Sequence, residues 1–302
     1  MAAPMTQVLT LIAAAPIARL SKDGVDRLRR ALAETGARLG RPTWLAPDEA
    51  CEIALEGLPA STAEMLARAT LKGAAVDIGI QPANNRRKQL LVADMESTII
   101  AQELLDEIGR ALGIGARIAA VTERAMRGEI DYAQSLRDRA ALLADLPADI
   151  LERAANGMTL TPGAQTLVRT MRANGAHTVL LSGGFDYFAR RIQRACGFHE
   201  SWANRLAISD GRITGSVEEP ILDGDGKLRV VKEVARRLAI ALDSVAAVGD
   251  GANDVAMLRA AGLGVAFRGK PAVVAATRVR LDHADLTGLL YLQGYRREEF
   301  RE

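Results

Sequence analysis

The sequence has little cysteine and little histidine, and both shortages exclude classes of protein. Its 302 residues contain only two cysteines, Cys51 and Cys196, which are far apart and in no C-x-x-C or zinc-ligand spacing. This excludes a disulfide-built scaffold and a cysteine-based zinc site, so we expect a reduced, cytoplasmic protein. The three histidines form no H-E-x-x-H or similar ligand motif, and we expect them at the surface or hydrogen-bonded in the core.

The chain also lacks a strong charge of either sign and a long apolar run. It has 39 basic against 37 acidic residues, and a net charge of +2 does not indicate nucleic-acid binding. No apolar run reaches the roughly 18 residues that cross a membrane. The apolar run near the N-terminus lacks the basic start of a signal peptide and predicts a first strand. The basic cluster NNRRKQ at 84–89 is interpreted as a solvated linker.

Residues 1–83 alternate short apolar runs with amphipathic stretches in the order β-α-β-β-α-β. VLTLIAA is typical of a strand, and SKDGVDRLRRALAETGA has a serine cap, helical periodicity and a closing glycine. The order predicts a small α+β, ferredoxin-like domain, which resembles the ACT-type domains that accompany enzymes of amino-acid metabolism. A structural role and an effector-binding role fit this domain equally well. The polar linker after it predicts few contacts with the rest of the chain.

Residues 84–302 alternate apolar strand-like runs with helical patterns, which predicts an α/β fold built on a Rossmann-like parallel sheet. The runs are LLVADM, HTVLLSGG, SVAAVGDG and LGVAF. About 75 residues separate the first two runs, too many for one crossover helix. They contain helical patterns such as QELLDEIGRALG and YAQSLRDRAALLADL. We therefore expect a helical cap, at about residues 100–160, inserted over one end of the sheet.

The first of these runs ends in two carboxylates. In LVADMESTII, Asp94 and Glu96 are two positions apart, so a strand places them on the same face. Burying both as unpartnered charges costs several kcal/mol, so they either face solvent or hold a positive group. Asp250 and Asp254 follow a later run in GDGAND, and ligands bind beyond the carboxyl ends of strands in such sheets. With Asp94 they are expected to converge on one hard cation, for which oxygen ligands favour Mg²⁺.

Donor groups follow the other runs. Ser182 and the backbone N–H groups of Gly183 and Gly184 offer a nest for phosphate oxygens, and Lys227 supplies a further positive charge. Taken singly, SGG and GDG are typical of tight turns, and a lone lysine is typical of a solvated helix. Their joint occurrence in this order, at predicted strand ends, favours a functional site.

These residues resemble the four motifs of the haloacid-dehalogenase-type phosphatase superfamily. The motifs are DMEST, the strand end at Ser182, Lys227 and GDGAND. Longer stretches resemble the phosphoserine phosphatases within that superfamily: TERAMRGEIDYAQSLRDR at 122–139, LLSGGFDYFARRI at 180–192, ANRLAISDGRITG at 203–215 and VAAVGDGANDVAMLRAAGLGVAF at 245–267. The resemblance covers residues 90–290 and is only loose over residues 1–83.

The resemblance implies roles for the residues of the sheet. Asp94 would be the nucleophile that forms an aspartyl-phosphate, and residue 96 the general acid/base, where the family has Asp and this chain has Glu96. Ser182 and Lys227 would bind the transferring phosphoryl group. A carboxylate that attacks a dianionic phosphate ester needs its charge neutralised, which Mg²⁺ and a lysine provide.

The implied Mg²⁺ site uses carboxylates from two strand ends. Its ligands would be Asp94, the backbone carbonyl of Glu96, and Asp250, with Asp254 and Asn253 supporting the site. Asn253 is also placed with the substrate-binding residues.

Cap residues would select the substrate. Glu103 and Arg139 match positions that bind an ammonium and a carboxylate, while Met126 and Tyr132 match apolar positions, the usual aromatic there being Phe. Without the resemblance, Arg139 and Glu103 would be taken as ordinary exposed helix charges. The planar guanidinium of an arginine binds both oxygens of a carboxylate, so a zwitterionic head group explains both cap charges.

The predicted activity is therefore Mg²⁺-dependent hydrolysis of O-phospho-L-serine to L-serine and phosphate. The alternatives are a related phosphatase for another small phosphomonoester, such as phosphohomoserine, and an amino-acid-sensing regulator with a dead site. The expected partner is a small-molecule substrate, no nucleic acid or membrane is expected, and a homodimer stays open.

Overall fold

A computed structural model describes residues 7–302, so the first six residues of the predicted N-terminal domain lie outside it. The strands are β1 (Gln7–Ala13), β2 (Arg38–Leu39), β3 (Thr43–Ala46), β4 (Ala50–Glu56), β5 (Val76–Pro82), β6 (Leu90–Asp94), β7 (His177–Phe185), β8 (Glu200–Asn204), β9 (Leu206–Ser209), β10 (Arg212–Val217), β11 (Val245–Gly249), β12 (Leu263–Phe267) and β13 (Val279–Leu281). The α-helices are α1 (Lys22–Ala33), α2 (Ala60–Thr70), α3 (Leu104–Ala111), α4 (Gly115–Met126), α5 (Tyr132–Ala141), α6 (Asp149–Asn156), α7 (Ala164–Ala173), α8 (Asp186–Cys196), α9 (Gly224–Arg237), α10 (Val255–Ala260), α11 (Pro271–Ala276) and α12 (Gly288–Leu292).

A six-stranded sheet in the order β13-β12-β11-β6-β7-β8 forms the centre of the larger part of the chain, and its neighbouring strands are parallel. β6 and β11 are buried along their whole length, as expected for strands covered on both faces. The predicted α/β fold with a parallel sheet is confirmed. Because the strands are parallel, the carboxyl ends of β6, β7 and β11 meet at one edge of the sheet.

Four helices, α3 to α6, lie between β6 and α7 in the chain, within the region predicted to form a cap. The β9–β10 hairpin follows β8 in sequence but bonds to this helical region. The N–H of Asp145 donates to the carbonyl of Ile213 at 2.9 Å, and the N–H of Ile213 donates to the carbonyl of Leu146 at 2.9 Å. The hairpin thus attaches the helices to the sheet at a third place, besides the two places where the chain enters and leaves the helical region. The exact domain boundaries stay a prediction.

The N-terminal strands form a separate antiparallel sheet in the order β2-β4-β1-β5, with β3 also paired to β4. Each inner strand lies between partners that run the opposite way, which is the arrangement of a split β-α-β sandwich. The predicted serine cap of α1 is present, since Ser21 Oγ accepts a hydrogen bond of 3.1 Å from the N–H of Gly24. The structure has three strands between α1 and α2 where two were predicted. A relationship to ACT-type domains stays a prediction.

The interpretation of NNRRKQ as a solvated linker is wrong. Lys88 is 7% exposed, and its Nζ donates to the carbonyls of Asn85 at 2.6 Å and Asp243 at 2.7 Å. Arg86 forms an ion pair with Glu52 of β4. A run of charges is usually interpreted as solvated when no partner is visible nearby in the sequence. Here two of the partners, Glu52 and Asp243, are distant in the sequence.

The expected scarcity of contacts between the N-terminal sheet and the rest of the chain is also wrong. Asp77 in β5 is 3% exposed, and its carboxylate accepts hydrogen bonds from three consecutive backbone N–H groups in the loop after β13, those of Asp282, His283 and Ala284. The core of the larger part includes Ile12 and Leu45 of the N-terminal sheet, packed with residues of α12. One face of the N-terminal sheet is therefore buried against the rest of the protein.

The two cysteines lie in the core, and two of the histidines stack on each other. Cys51 and Cys196 are free and buried, and burial raises the pKa of Cys196 to about 11, so its thiol is protonated at neutral pH. The rings of His177 and His199 stack 4.4 Å apart, and Nε2 of His177 lies 2.7 Å from a carboxylate oxygen of Glu200. Within residues 7–302, none of the helices is both long and apolar enough to cross a membrane.

Candidate active site

A buried lysine joins two carboxylates at the carboxyl edge of the parallel sheet. Asp94 ends β6 and is 6% exposed, while Lys227 in α9 and Asp254 after β11 are fully buried. Nζ of Lys227 donates to Oδ1 of Asp94 and, at 2.6 Å, to Oδ1 of Asp254. Burial opposes the charge on Lys227, but the carboxylates of Asp254 and Asp94 outweigh it and raise its pKa. Burial, followed by the charge of Asp254, raises the pKa of Asp94.

A cluster of three buried carboxylates could hold a metal ion. One oxygen each from Asp94, Asp250 and Asp254 lies within 4.8 Å of the others. The N–H of Gly251 donates to Oδ2 of Asp254 at 3.0 Å, which fixes the orientation of that carboxylate. Burial raises the pKa of Asp250. The three carboxylates pair with two ammonium groups, the buried one of Lys227 and the more exposed one of Lys270, so one negative charge stays in excess. An all-oxygen donor set suits a hard divalent cation.

Glu96 lies beside this cluster without joining it. Its Oε1 accepts a hydrogen bond of 2.7 Å from the N–H of Leu104, the first residue of α3. Burial, and then the charge of Glu103, raises the pKa of Glu96 to about 7. A carboxyl with this pKa can both give and take a proton near neutral pH. The predicted contact of its backbone carbonyl with a metal stays a prediction.

The glycines after Ser182 allow close approach. A Cβ at Gly183 would collide with the hydroxyl of Tyr132, and one at Gly184 would lie 2.7 Å from Oε2 of Glu96. Ser182 is fully buried, and its Oγ accepts a hydrogen bond of 3.0 Å from the N–H of Gly184. The SGG pattern predicts two free N–H donors, whereas the N–H of Gly184 is engaged by the serine. Such a local bond between a serine and the backbone is not visible in the sequence pattern.

A pocket of about 600 Å³ opens between the helical region and the sheet edge. Of the predicted site residues, it is lined by Asp94, Glu96, Glu103, Met126, Tyr132, Arg139, Gly183, Gly184, Asp250 and Asn253. Ser182, Lys227 and Asp254 lie behind this lining, fully buried. Residues from strands, loops and helices that are far apart in sequence are therefore brought to one cavity.

The two charged residues predicted to select the substrate have different surroundings. Arg139 is half-buried in α5, and Nε donates to the carbonyl of Ser135 at 3.3 Å. Among the described residues it forms no ion pair with a carboxylate. Glu103 accepts a hydrogen bond of 2.9 Å from Oγ of Ser97. Met126 is 83% exposed at the pocket. The guanidinium of Arg139 is available for an anionic group of a ligand.

Sequence reasoning missed several charged residues of the pocket. Lys270 lies after β12, with Nζ 3.0 Å from Oδ2 of Asp250 and 3.4 Å from Oε1 of Glu103. Asp106 and Asp225 also line the cavity. One signal could have found Lys270, because it follows a strand of the parallel sheet, where ligands bind. Asp106 and Asp225 belong to no recognised motif.

The haloacid dehalogenase-like hydrolase family model matches residues 91–259 of this chain. A phosphoserine phosphatase of Archaeoglobus fulgidus is 41% identical over 216 residues, which are 71% of this chain and 63% of that protein. A phosphoserine phosphatase of Streptomyces coelicolor is 37% identical over 284 residues, which are 93% of this chain and 69% of that protein. The chain thus spans about two thirds of the length of these two relatives.

The fold is similar to that of a solved structure described as a phospho-aspartyl intermediate analogue of phosphoserine phosphatase. The TM-score is 0.63 with 36% sequence identity, and the match covers 67% of this chain and 97% of the other.

Proposed function

Because this chain belongs to the haloacid dehalogenase-like hydrolase family, we propose that it is a phosphoserine phosphatase. It hydrolyses O-phospho-L-serine to L-serine and phosphate. The observation that carries the proposal is that one pocket holds a buried carboxylate–lysine cluster at one end and the unpaired Arg139 with Glu103 at the other. The first end suits a phosphate and its counter-charges, and the second suits an amino-acid head group.

Asp94 and Glu96 carry the two displacements. A carboxylate oxygen of Asp94 attacks phosphorus, the bond from phosphorus to the serine oxygen breaks, and Glu96 gives its proton to that oxygen. The ionised Glu96 then takes a proton from a water molecule as its oxygen attacks the aspartyl-phosphate, which releases phosphate and restores both carboxyl groups. The pKa of Glu96, about 7, supports both directions of proton transfer.

The carboxylate cluster fits Mg²⁺. Asp94 and Asp250 would hold the ion with the backbone carbonyl of Glu96, and Asp254 and Asn253 would support it; the close approach of three buried carboxylate oxygens favours this assignment. When bound, Mg²⁺ neutralises charge on the phosphate and the acids. Lys227, held between two of these acids, and Ser182 orient the phosphoryl oxygens, with the N–H groups of Gly183 and Gly184 close by.

The cap residues bind the serine part of the substrate. Arg139 receives the carboxylate through its planar fork, and Glu103 receives the ammonium. Met126 and Tyr132 cover the substrate on the side of the helices. With this assignment the partner is a small molecule, and the predicted location is the cytoplasm.

A panel of phosphomonoesters tests the proposal. With Mg²⁺, O-phospho-L-serine should be turned over at least about 100-fold more efficiently than phosphoethanolamine, which has the phosphate and the ammonium but no carboxylate. Phosphohomoserine, with one more methylene between the phosphate and the amino-acid head group, tests the distance between the two ends of the pocket. Equal turnover of phosphoserine and phosphoethanolamine would contradict the substrate assignment.

The same panel is repeated with Asp94→Asn. The amide has nearly the same shape and is a poor nucleophile, so the variant should fold and lose turnover of every ester. Far-UV circular dichroism checks the fold. A folded variant that keeps its activity would show that Asp94 is not the nucleophile, and turnover by no phosphomonoester in the wild-type chain would favour a sensor.

A further inference from the structure

Lys270 forms ion pairs with two acids that have different assigned tasks. Its Nζ is 3.0 Å from Oδ2 of Asp250 and 3.4 Å from Oε1 of Glu103. Asp250 belongs to the carboxylate cluster on the sheet, and Glu103 immediately precedes α3. A single ammonium group therefore connects the site proposed for the metal with the site proposed for the substrate ammonium.

The backbone of Lys270 is fixed, whereas its side chain is free to leave. Its N–H donates to the carbonyl of Asp250 at 2.9 Å, and Pro271 begins α11 directly after it. The side chain is 60% exposed, so water can solvate its ammonium group when an ion pair breaks. On the other side, Oε1 of Glu103 is held by Ser97 Oγ at 2.9 Å, so that acid keeps its position when the lysine departs.

The geometry points to Lys270 as a positioning residue that couples cation binding at Asp250 to binding of the substrate ammonium at Glu103. This inference rests on the proposed function of the pocket. In the ligand-free protein Lys270 pairs with both acids, and its single positive charge offsets one of their two negative charges. A metal ion at Asp250 and an ammonium group at Glu103 each compete with it for one carboxylate.

Each ligand therefore helps the other. Binding of the first breaks one of the two ion pairs, so the lysine is held by the remaining pair alone. When the second ligand breaks the remaining pair, the side chain of Lys270 is released and regains its rotamer freedom, a gain that the same ligand does not have when it binds first. By linkage the effect is the same in either order. Because Lys270 is largely exposed, its ion pairs are weak, and we expect a coupling near the low end of the usual range, about fivefold in affinity.

Titration calorimetry of Mg²⁺ into the metal-free full-length chain measures this coupling without turnover. L-Serine is the amino-acid probe because it carries the ammonium and the carboxylate and is not consumed. In the wild-type chain, saturating L-serine should tighten Mg²⁺ binding about fivefold. In Lys270→Met, Mg²⁺ alone should bind more tightly than in the wild type by a similar factor, and L-serine should change its affinity less than about twofold.

Lys232→Met is the matched control, since it removes the same charge from an exposed position on α9. It should retain the wild-type affinity and coupling. Lys270→Gln is measured beside Lys270→Met and should behave in the same way, so the test does not depend on one variant. Lys270→Arg keeps the charge and should retain coupling.

Two results would contradict the coupling role of Lys270. If L-serine binds and tightens Mg²⁺ equally in the wild type and in both neutral Lys270 variants, the role of Lys270 is overturned while the proposed substrate stands. If L-serine does not bind the wild-type chain even with Mg²⁺ present, the assignment of Glu103 and Arg139 fails, and the coupling fails with it. Turnover of phosphoserine is then the separate check on the proposed function.

Discussion

The hydroxyl of Tyr132 in α5 donates a hydrogen bond of 2.7 Å to the carbonyl oxygen of Gly183 in β7. The helical cap region is thereby attached to the strand end that carries Ser182. A phenylalanine at position 132 could not make this bond, so the hydroxyl adds a contact between cap and sheet. Its partner must be a glycine, because a side chain at position 183 would occupy the space of the hydroxyl.

Tyr132→Phe should weaken substrate binding while leaving the chemical step in place. The loss of one neutral hydrogen bond costs about 1 kcal/mol, so we expect KM for phosphoserine to rise about fivefold and kcat to stay within about twofold. Steady-state kinetics measures both. Tyr187→Phe, at a partly exposed tyrosine of α8, is the control and should leave both constants unchanged. An unchanged KM in Tyr132→Phe would mean that the contact does not affect the bound state.

Arg139→Met should lower activity toward phosphoserine selectively. Loss of a charged, bidentate contact in a closed site costs on the order of 2–4 kcal/mol, so kcat/KM should fall by a factor of about 30 to 1,000. Phosphoethanolamine, which lacks the carboxylate, should be hardly affected. Arg137→Met is the matched control, since Arg137 lies on the same helix and pairs with Glu219 at the surface. An equal loss with both esters would make Arg139 a structural or general catalytic group.

Glu96 should give the pH profile a limb that depends on the leaving group. Its carboxyl is protonated below a pKa of about 7, so kcat/KM for phosphoserine should fall about tenfold per pH unit above that value. p-Nitrophenyl phosphate leaves as an acidic phenol that needs no proton, and its profile should lack this limb. Since the ionisation of the phosphate is common to both esters, comparison of the two profiles isolates the enzyme's acid.

Substitutions at the same position test whether glutamate is a working acid. Glu96→Gln should lower kcat for phosphoserine by about 10²–10⁴-fold and remove the limb. Glu96→Asp should bring no gain, because its shorter side chain gives up the hydrogen bond from the N–H of Leu104. If the wild type matched the Gln variant and the Asp variant were fast, Glu96 would be a defect of the site.

Asp77→Ala should destabilise the whole protein. The substitution leaves three N–H groups, that of Ala284 buried and the other two partly buried, without an acceptor, and we expect the free energy of unfolding to fall by about 2–4 kcal/mol. Urea denaturation, followed by circular dichroism, measures it. The control Asp26→Ala removes an exposed carboxylate from α1 and should change the stability by less than about 0.5 kcal/mol. Equal stabilities would mean that the N-terminal sheet is only loosely attached.

The sequence was sufficient for the residues that stand in motifs at strand ends. Asp94, Asp250 and Asp254 were predicted to converge, and their carboxylate oxygens do so, because parallel strands bring their carboxyl ends to one edge whatever their order in the chain. The apolar runs that form β6, β11 and β12 were also recognisable, since strands covered on both faces are uniformly hydrophobic.

What the sequence could not predict depends on partners that are distant in the chain. Lys270 meets Glu103 across 167 positions, and Arg86 meets Glu52 across 34. The local pattern treats both basic residues as unpaired surface charges, because the acids with which they pair are distant in the sequence. The polar stretch at 84–89 therefore resembled a linker although it lies in an interface.

The β9–β10 hairpin gives the helical cap region a second connection to the end of β7 that carries Gly183. It is bonded to the end of the helical cap region, and its base returns to Asn204, which bonds with Leu222 and also donates to the carbonyl of Gly183 at 2.9 Å. The cap is thus linked to the end of β7 through the hairpin as well as through Tyr132. Substitutions in the hairpin, which holds no proposed site residue, should therefore change the alignment of the phosphate and alter turnover of phosphoserine.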